Sequence, residues 1–265
     1  MAAAGFAASA PFGADVLERL ARTQEIAFLL TRPDRPAGRG QRLAPPPAKL
    51  AAERLGIRVL QPERLDEGVE LPADTVVTCA YGAIVPPRLL ARHLWLNVHP
   101  SLLPRWRGAA PVERAILAGD EETGVTIIRL TEELDAGPIA AQRAFSLGPD
   151  DDAGSVYERA AEIAASLLPA VLAEPEFRDQ PADGVTYAEK LTAADRELDI
   201  DGSAEEALWR IRALSPHIGA RAQLDGRPVT IWKARIEGGE LVPEIVQPEG
   251  RRRMTYDEFR RGLRS

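Results

Sequence analysis

The sequence predicts an α/β protein: a Rossmann-like, mostly parallel sheet followed by a small β-rich domain. Three observations carry this. Short apolar runs alternate with amphipathic stretches through the first half of the chain. A long helical segment closes that half. Past a polar stretch rich in Pro and Gly, strand-like runs are separated by the turn signals Asp225-Gly226 and Gly238-Gly239.

Residues 1–10 are apolar without a basic segment, and read as a first strand and turn rather than a signal peptide. Residues 16–21 continue an amphipathic helix and residues 26–30 are a short buried strand. Residues 49–55 read as helix and 58–60 as extended. The β-branched run at 75–80 suits a parallel strand. Residues 94–99 form the next strand, 110–118 a helix and 124–130 another strand. Such βαβ alternation predicts helices on both sheet faces, with ligands beyond the carboxyl ends of the strands. Residues 153–172 make the longest helix, with Val156, Tyr157, Ala160, Ile163 and Leu167 on one face. We place the larger domain at 1–173, a linker at 174–187 and the small domain at 188–265. In the latter, 204–214 is helical, and 221–224, 229–234 and 241–246 are strands.

The 265 residues suit two domains. No apolar run reaches the roughly 20 residues of a membrane helix. Cys79 is the sole cysteine, so an internal disulfide is excluded and a reducing cytoplasm is expected. A net charge of −7 argues against a polyanionic partner, but its distribution does not. Residues 32–49 carry Arg32, Arg35, Arg39, Arg42 and Lys49 against Asp34 alone. Residues 250–265 carry Arg251, Arg252, Arg253, Arg260, Arg261 and Arg264 against Asp257 and Glu258. Two basic patches on an acidic chain are compatible with local polyanion binding.

The segment from Leu94 to Pro104, Leu-Trp-Leu-Asn-Val-His-Pro-Ser-Leu-Leu-Pro, is the most informative. Strand periodicity puts Asn97 and His99 on one face, and Pro100 and Pro104 end the strand. An amide can donate to a developing oxyanion, and an imidazole can donate or shuttle protons. A carboxylate would hold the ring. Asp135 is the best candidate, in the turn after the 124–130 strand, with Glu132 and Glu133 as rivals that spacing does not eliminate. A lone strand-end histidine is ordinarily structural, so spacing alone does not establish catalysis.

Asn97-Val-His-Pro-Ser-Leu-Leu-Pro104, followed by Leu134-Asp135-Ala-Gly137, resembles the 10-formyltetrahydrofolate-dependent formyltransferases. The likeness runs from about Phe12 to the end. Further segments, Arg32-Pro-Asp-Arg-Pro-Ala-Gly-Arg-Gly-Gln-Arg-Leu43, Arg105-Trp-Arg-Gly-Ala-Ala-Pro111, Thr186-Tyr-Ala-Glu-Lys-Leu191 and Val229-Thr-Ile-Trp-Lys-Ala234, are similar to those members that formylate initiator methionyl-tRNA.

The resemblance implies catalysis by Asn97, His99 and Asp135. Asn97 and protonated His99 would stabilise the oxyanion, and Asp135 would keep His99 charged and help relay protons. It implies a folate site at Ser101, Leu102, Leu103 and Pro104 together with Tyr81, Gly82 and Ile84, without a metal. It also implies an exposed loop at 32–43 that meets the acceptor end of tRNA through Arg35, Arg39 and Arg42. Arg251, Arg252 and Arg253 would follow phosphates from an OB-like barrel. We expect a cytoplasmic monomer.

Three features depart from the family pattern. Ala8-Ser9 stand where Gly-Thr is usual. Ser215-Pro216-His217-Ile218 replace Asn-Pro-Trp-Pro, and residues 235–246 are short, as if a hairpin were missing. The alternatives are a formyltransferase for a sugar-nucleotide or other small amine, a formyl-folate hydrolase, and a non-catalytic tRNA-binding paralogue.

Overall fold

The computed structural model describes residues 3–37, 42–200 and 202–263. Its elements, in order, are β1 (Ala4–Ala7), α1 (Pro11–Leu20), β2 (Ile26–Leu30), β3 (Arg35–Ala37), β4 (Arg42–Ala44), α2 (Pro47–Arg54) and β5 (Val59–Leu60). Then come β6 (Thr75–Thr78), α3 (Pro87–Arg92), β7 (Leu94–His99), β8 (Arg107–Gly108), α4 (Pro111–Leu117), β9 (Glu122–Arg129), β10 (Ile139–Ser146) and α5 (Ala153–Ala173). The remainder is β11 (Tyr187–Ala188), α6 (Ala204–Leu214), β12 (Ala220–Leu224), β13 (Arg227–Glu237), β14 (Glu240–Pro248), β15 (Met254–Thr255) and α7 (Tyr256–Arg261).

The chain divides into two compact units. One comprises Met1–Arg107, Gly124–Ala144 and Glu158–Thr186; the other Gly108–Thr123, Phe145–Tyr157 and Tyr187–Ser265. The second unit therefore takes in two stretches from the middle of the chain as well as its C-terminal part.

The large sheet runs β10-β9-β7-β6-β1-β2-β5. Pairing is parallel from β5 through β2, β1 and β6 to β7. At β9 the direction reverses. The mostly parallel sheet is thus borne out, with β7 at the junction between its parallel and antiparallel parts. Its strands are apolar on both faces, as helix-covered strands must be: Phe6, Phe28, Leu29, Leu30, Val76, Val77 and Leu96 are all fully buried. Four of the helices begin on a proline (Pro11, Pro47, Pro87 and Pro111), where the missing N–H has no helical partner to lose. The edge strand β10 escaped the sequence reading because Ala140, Ala141, Gln142 and Arg143 give no apolar period. The basic loop forms a two-stranded antiparallel ribbon, β3 on β4, outside the core sheet.

In the second unit β12, β13, β14 and β15 form an antiparallel sheet in that linear order. Ile211 and Leu214 of α6 pack with Val229, Ile231, Val246 and Phe259. The short region at 235–246 is where β13 passes directly into β14 through Gly238 and Gly239, both in the left-handed region. Each of the other departures has a local partner. Ser9 is buried, its Oγ 3.2 Å from Thr31 Oγ1, and accepts from Arg32 N. Ser215 Oγ donates to Trp232 O at 2.6 Å. Among the described residues, no helix is long and apolar enough to cross a membrane.

Helix α1 packs tightly on the sheet at Gly13. A Cβ there would lie 2.3 Å from Cys79 O and 2.7 Å from Ala8 Cβ. Both neighbours are buried and directly follow core strands, β6 and β1, so they cannot give way cheaply. Gly13→Ala should therefore lower stability by about 1–3 kcal/mol, read as a lower urea midpoint at unchanged m-value; an unchanged midpoint would contradict this packing.

Candidate active site

Strand β7 sets the site. Its register places Asn97 opposite Thr78 of β6 and His99 opposite Thr126 of β9. The alternation of side chains sends Asn97 and His99 to one face. Because β9 is antiparallel, its end at Arg129 lies beside Leu96, away from the carboxyl end of β7. The residues after it must double back along β7. They do so through Asp135, whose φ is +47°, and through Gly137, where a Cβ would come within 1.8 Å of Arg129 O. The return delivers the Asp135 carboxylate to both strand residues. Asn97 Nδ2 donates to Asp135 Oδ1 at 3.1 Å, and His99 Nδ1 lies 3.6 Å from Asp135 Oδ2. The side chains of His99 and Asp135 are only 5% and 10% exposed. Glu132 and Glu133 are exposed, and Glu133 instead reaches Arg107 at 3.5 Å. Of the three acidic residues that spacing left open, this geometry brings Asp135 to the two strand residues.

Two further groups orient the trio. Thr78 Oγ1 donates to Asn97 Oδ1 at 2.6 Å, so the amide turns its Nδ2 toward the carboxylate. One N–H goes to Asp135; the amide carries a second. His99 Nε2 is 2.7 Å from the carbonyl oxygen of Trp106, which can only accept, so Nε2 carries a hydrogen. Nδ1 faces the Asp135 carboxylate, 3.6 Å away.

The residues expected at a folate site divide into supports and presenting surfaces. Tyr81 is buried among Ala7, Phe28, Leu30 and Val76, and burial pushes its phenol up to about 12. Ser101 is fully buried: its Oγ donates to Arg105 O, and its carbonyl accepts from Thr126 Oγ1. Leu103 packs with Ile128 and Ile139, while its backbone is held by Thr126 Oγ1 and Gln142 Nε2. Leu102 lies against Gly124. Gly82, at φ +75°, faces the Arg32 guanidinium, and Ile84 is 90% exposed. Tyr81, Ser101 and Leu103 thus hold the backbone, leaving Gly82, Ile84, Leu102 and Pro104 at the surface or only partly covered. Both segments follow neighbouring parallel strands, so they emerge at the same sheet end.

Arg35 and Arg42 are exposed on the β3–β4 ribbon. Arg39 lies outside the described residues. Arg251 and Arg252 are exposed. Arg253 is engaged within its own unit: its guanidinium lies 3.5 Å over the Trp232 ring and donates to Pro216 O at 2.8 Å. Among the described residues, no group of three or more His, Cys, Asp or Glu could hold a metal ion. Thr78, Trp106, Thr126 and Gln142 were missed by sequence reasoning. Sheet register brings Thr78, Thr126 and Gln142 to the site, and the turn before β8 brings Trp106; no local spacing signals either.

A formyl transferase family model matches residues 6–172, and a formyl transferase C-terminal domain model matches residues 190–241. The chain belongs to the formyltransferase family. This formyltransferase is 50% identical over 225 residues to a methionyl-tRNA formyltransferase of Halorhodospira halophila, covering 80% of this chain and 72% of the relative. It is 38% identical to the methionyl-tRNA formyltransferase of Neisseria gonorrhoeae, with 97% and 96% covered. An N-formyltransferase structure from Helicobacter canadensis, described with folinic acid and dTDP-3-aminofucose, shares the fold. Its TM-score is 0.69 at 18% identity, covering 96% of this chain and 99% of that one.

Removing the Thr78 hydroxyl should release the Asn97 amide. In Thr78→Val, kcat for formyl transfer is expected to fall about five- to tenfold, the loss of one hydrogen bond of about 1 kcal/mol. Thr78→Ser should hold kcat near the parent value. Equal kcat in the parent and the Val variant would contradict the orienting role.

Proposed function

We propose that the chain transfers the formyl group of 10-formyltetrahydrofolate to the α-amino group of initiator methionyl-tRNA, acting as a cytoplasmic monomer. The observation that carries the chemistry is the meeting of Asn97, His99 and Asp135 on one face at the end of β7. Relatives named as methionyl-tRNA formyltransferases, one of them matched nearly end to end, support the choice of acceptor.

The residues present suit a folate. Ile84, in the segment after β6, holds an apolar side chain 90% in solvent, and Leu102 and Pro104, in the segment after the neighbouring β7, are partly covered. That pairing of apolar surface with backbone polar groups is what a flat heterocycle with a polar edge requires. The folate supplies the activated formyl group. Everything else falls to side chains of this chain. The second N–H of Asn97 Nδ2 donates to the formyl oxygen as negative charge develops there. The protonated His99 ring adds positive charge and a transferable proton at Nδ1. Asp135 balances that charge. Its carboxylate receives, directly or through water, the proton the amine sheds as it bonds to the formyl carbon, and the His99 Nδ1 proton passes to N10 as the C–N10 bond breaks, so tetrahydrofolate leaves neutral and the proton on Asp135 returns to His99. The exposed Arg35 and Arg42 of the ribbon, with Arg251 and Arg252, attract tRNA phosphates, so tRNA binding weakens as salt rises.

Asn97→Ala, His99→Ala and Asp135→Asn should each lower turnover about 10²–10³-fold, measured below the unfolding transition of each variant. The assay is formyl-methionyl-tRNA production from 10-formyltetrahydrofolate and charged initiator tRNA. Parent-like turnover in folded His99→Ala contradicts the scheme. Formate release indifferent to tRNA would identify water as the acceptor instead.

A further inference from the structure

Residues 178–186 have the composition of a linker, yet they are stitched into the first unit. Arg178 exchanges two backbone hydrogen bonds with Ile139, at 2.7 and 3.0 Å. Gln180 follows two residues later. Its Nε2 donates to Asp135 O at 2.7 Å and to Gly137 O at 2.8 Å. Its Oε1 accepts from Arg107 Nε and Nη2 at 3.2 and 2.8 Å. Both amide hydrogens and the amide oxygen are thus committed, and Arg107, itself buried, fixes which way the amide points. At the far end, Thr186 Oγ1 accepts from Trp106 N at 2.9 Å, while the Thr186 backbone bonds Arg107 N and Pro104 O.

These contacts fall on the backbones that aim the trio. Asp135 and Gly137 form the turn that carries the carboxylate back along β7. Asp135 and Trp106 are both in the left-handed region, at φ +47° and +64°, which non-glycine residues seldom adopt without outside restraint. Trp106 supplies the carbonyl that holds His99 Nε2. Gln180 therefore grips one strained turn, and Thr186 grips the other.

We propose that Gln180 and Thr186 are positioning residues for formyl transfer, Gln180 setting Asp135 through its backbone and Thr186 setting His99 through Trp106. The strap formed by residues 178–186 reaches these backbones from more than forty residues along the chain from Asp135. Neither residue touches the reacting groups. Their effect is on how often carboxylate and imidazole stand in register. The proposal rests on the catalytic reading of Asn97, His99 and Asp135.

The test uses the full chain and substitutions that leave the neighbouring bonds in place. Gln180→Glu keeps acceptors for Arg107 but removes both donors to the Asp135 turn. Thr186→Val removes the acceptor for Trp106 N but keeps the two backbone bonds. In each, kcat for formyl-methionyl-tRNA formation should fall about tenfold to a hundredfold, the scale of loss for an ångström-sized misplacement. KM for folate and for tRNA should stay within about twofold, because no substrate-binding group is touched. Thr186→Ser should restore kcat. In an Asp135→Asn background, Gln180→Glu should add little further loss, since the group it positions no longer functions. Parent-like kcat in both variants would overturn the proposal. So would losses that multiply independently of Asp135→Asn, failure of Thr186→Ser to rescue, or a fall in kcat that follows the fraction unfolded. Full turnover in Asp135→Asn alone would remove the catalytic reading itself. Loss there, with parent-like Gln180→Glu and Thr186→Val, would remove only the strap.

Discussion

The site depends on one buried carboxylate being held against an amide and an imidazole. Asp135 is almost wholly withdrawn from water, and a carboxylate there is costly unless its oxygens are matched. Asn97 Nδ2 takes one oxygen and His99 Nδ1 faces the other. The rest of the local structure makes that meeting possible. Strand β9 runs the wrong way to deliver a residue to the end of β7, so the chain reverses through a left-handed aspartate and a glycine pressed on Arg129 O. Hydrogen bonds from Thr78 and to Trp106 O then remove the remaining freedom of the amide and the ring.

Much of the scaffold was legible in the sequence because each strand is a compact apolar run. The bounds of β2, β7 and α6 agree with the reading residue for residue. Asn97 and His99 could be placed on one face because period two is a property of any strand. The return of Asp135 could not be read. Nothing in the spacing says that β9 is antiparallel, and the neighbouring glutamates have the same chemistry. Resemblance supplied Asp135; geometry supplies the reason. Likewise, the resemblance implied a folate site that includes Tyr81, Ser101 and Leu103; the side chains of these three are committed to packing and backbone support. Composition cannot distinguish an apolar residue that lines a cleft from one that props it up.

Charge follows the same pattern. The arginines at 32–43 and 251–253 stand out in an acidic chain, but sequence treats them alike. Arg35, Arg42, Arg251 and Arg252 face solvent, while Arg253 is stacked on Trp232 and tied to Pro216. An exposed guanidinium exchanges counterions with a phosphate at little cost. One already seated on an indole must first give up that contact.

The central claim is that the formyl group is activated by the assembly of Asn97, His99 and Asp135. A crystal structure with 10-formyl-5,8-dideazafolate, a stable analogue that carries the formyl group on N10, tests it most directly. The account predicts the formyl oxygen within hydrogen-bond distance of Asn97 Nδ2, with the Asn97–Asp135 bond retained and Ile84 against the heterocycle. An analogue bound elsewhere, with its formyl group away from these three side chains, would contradict it.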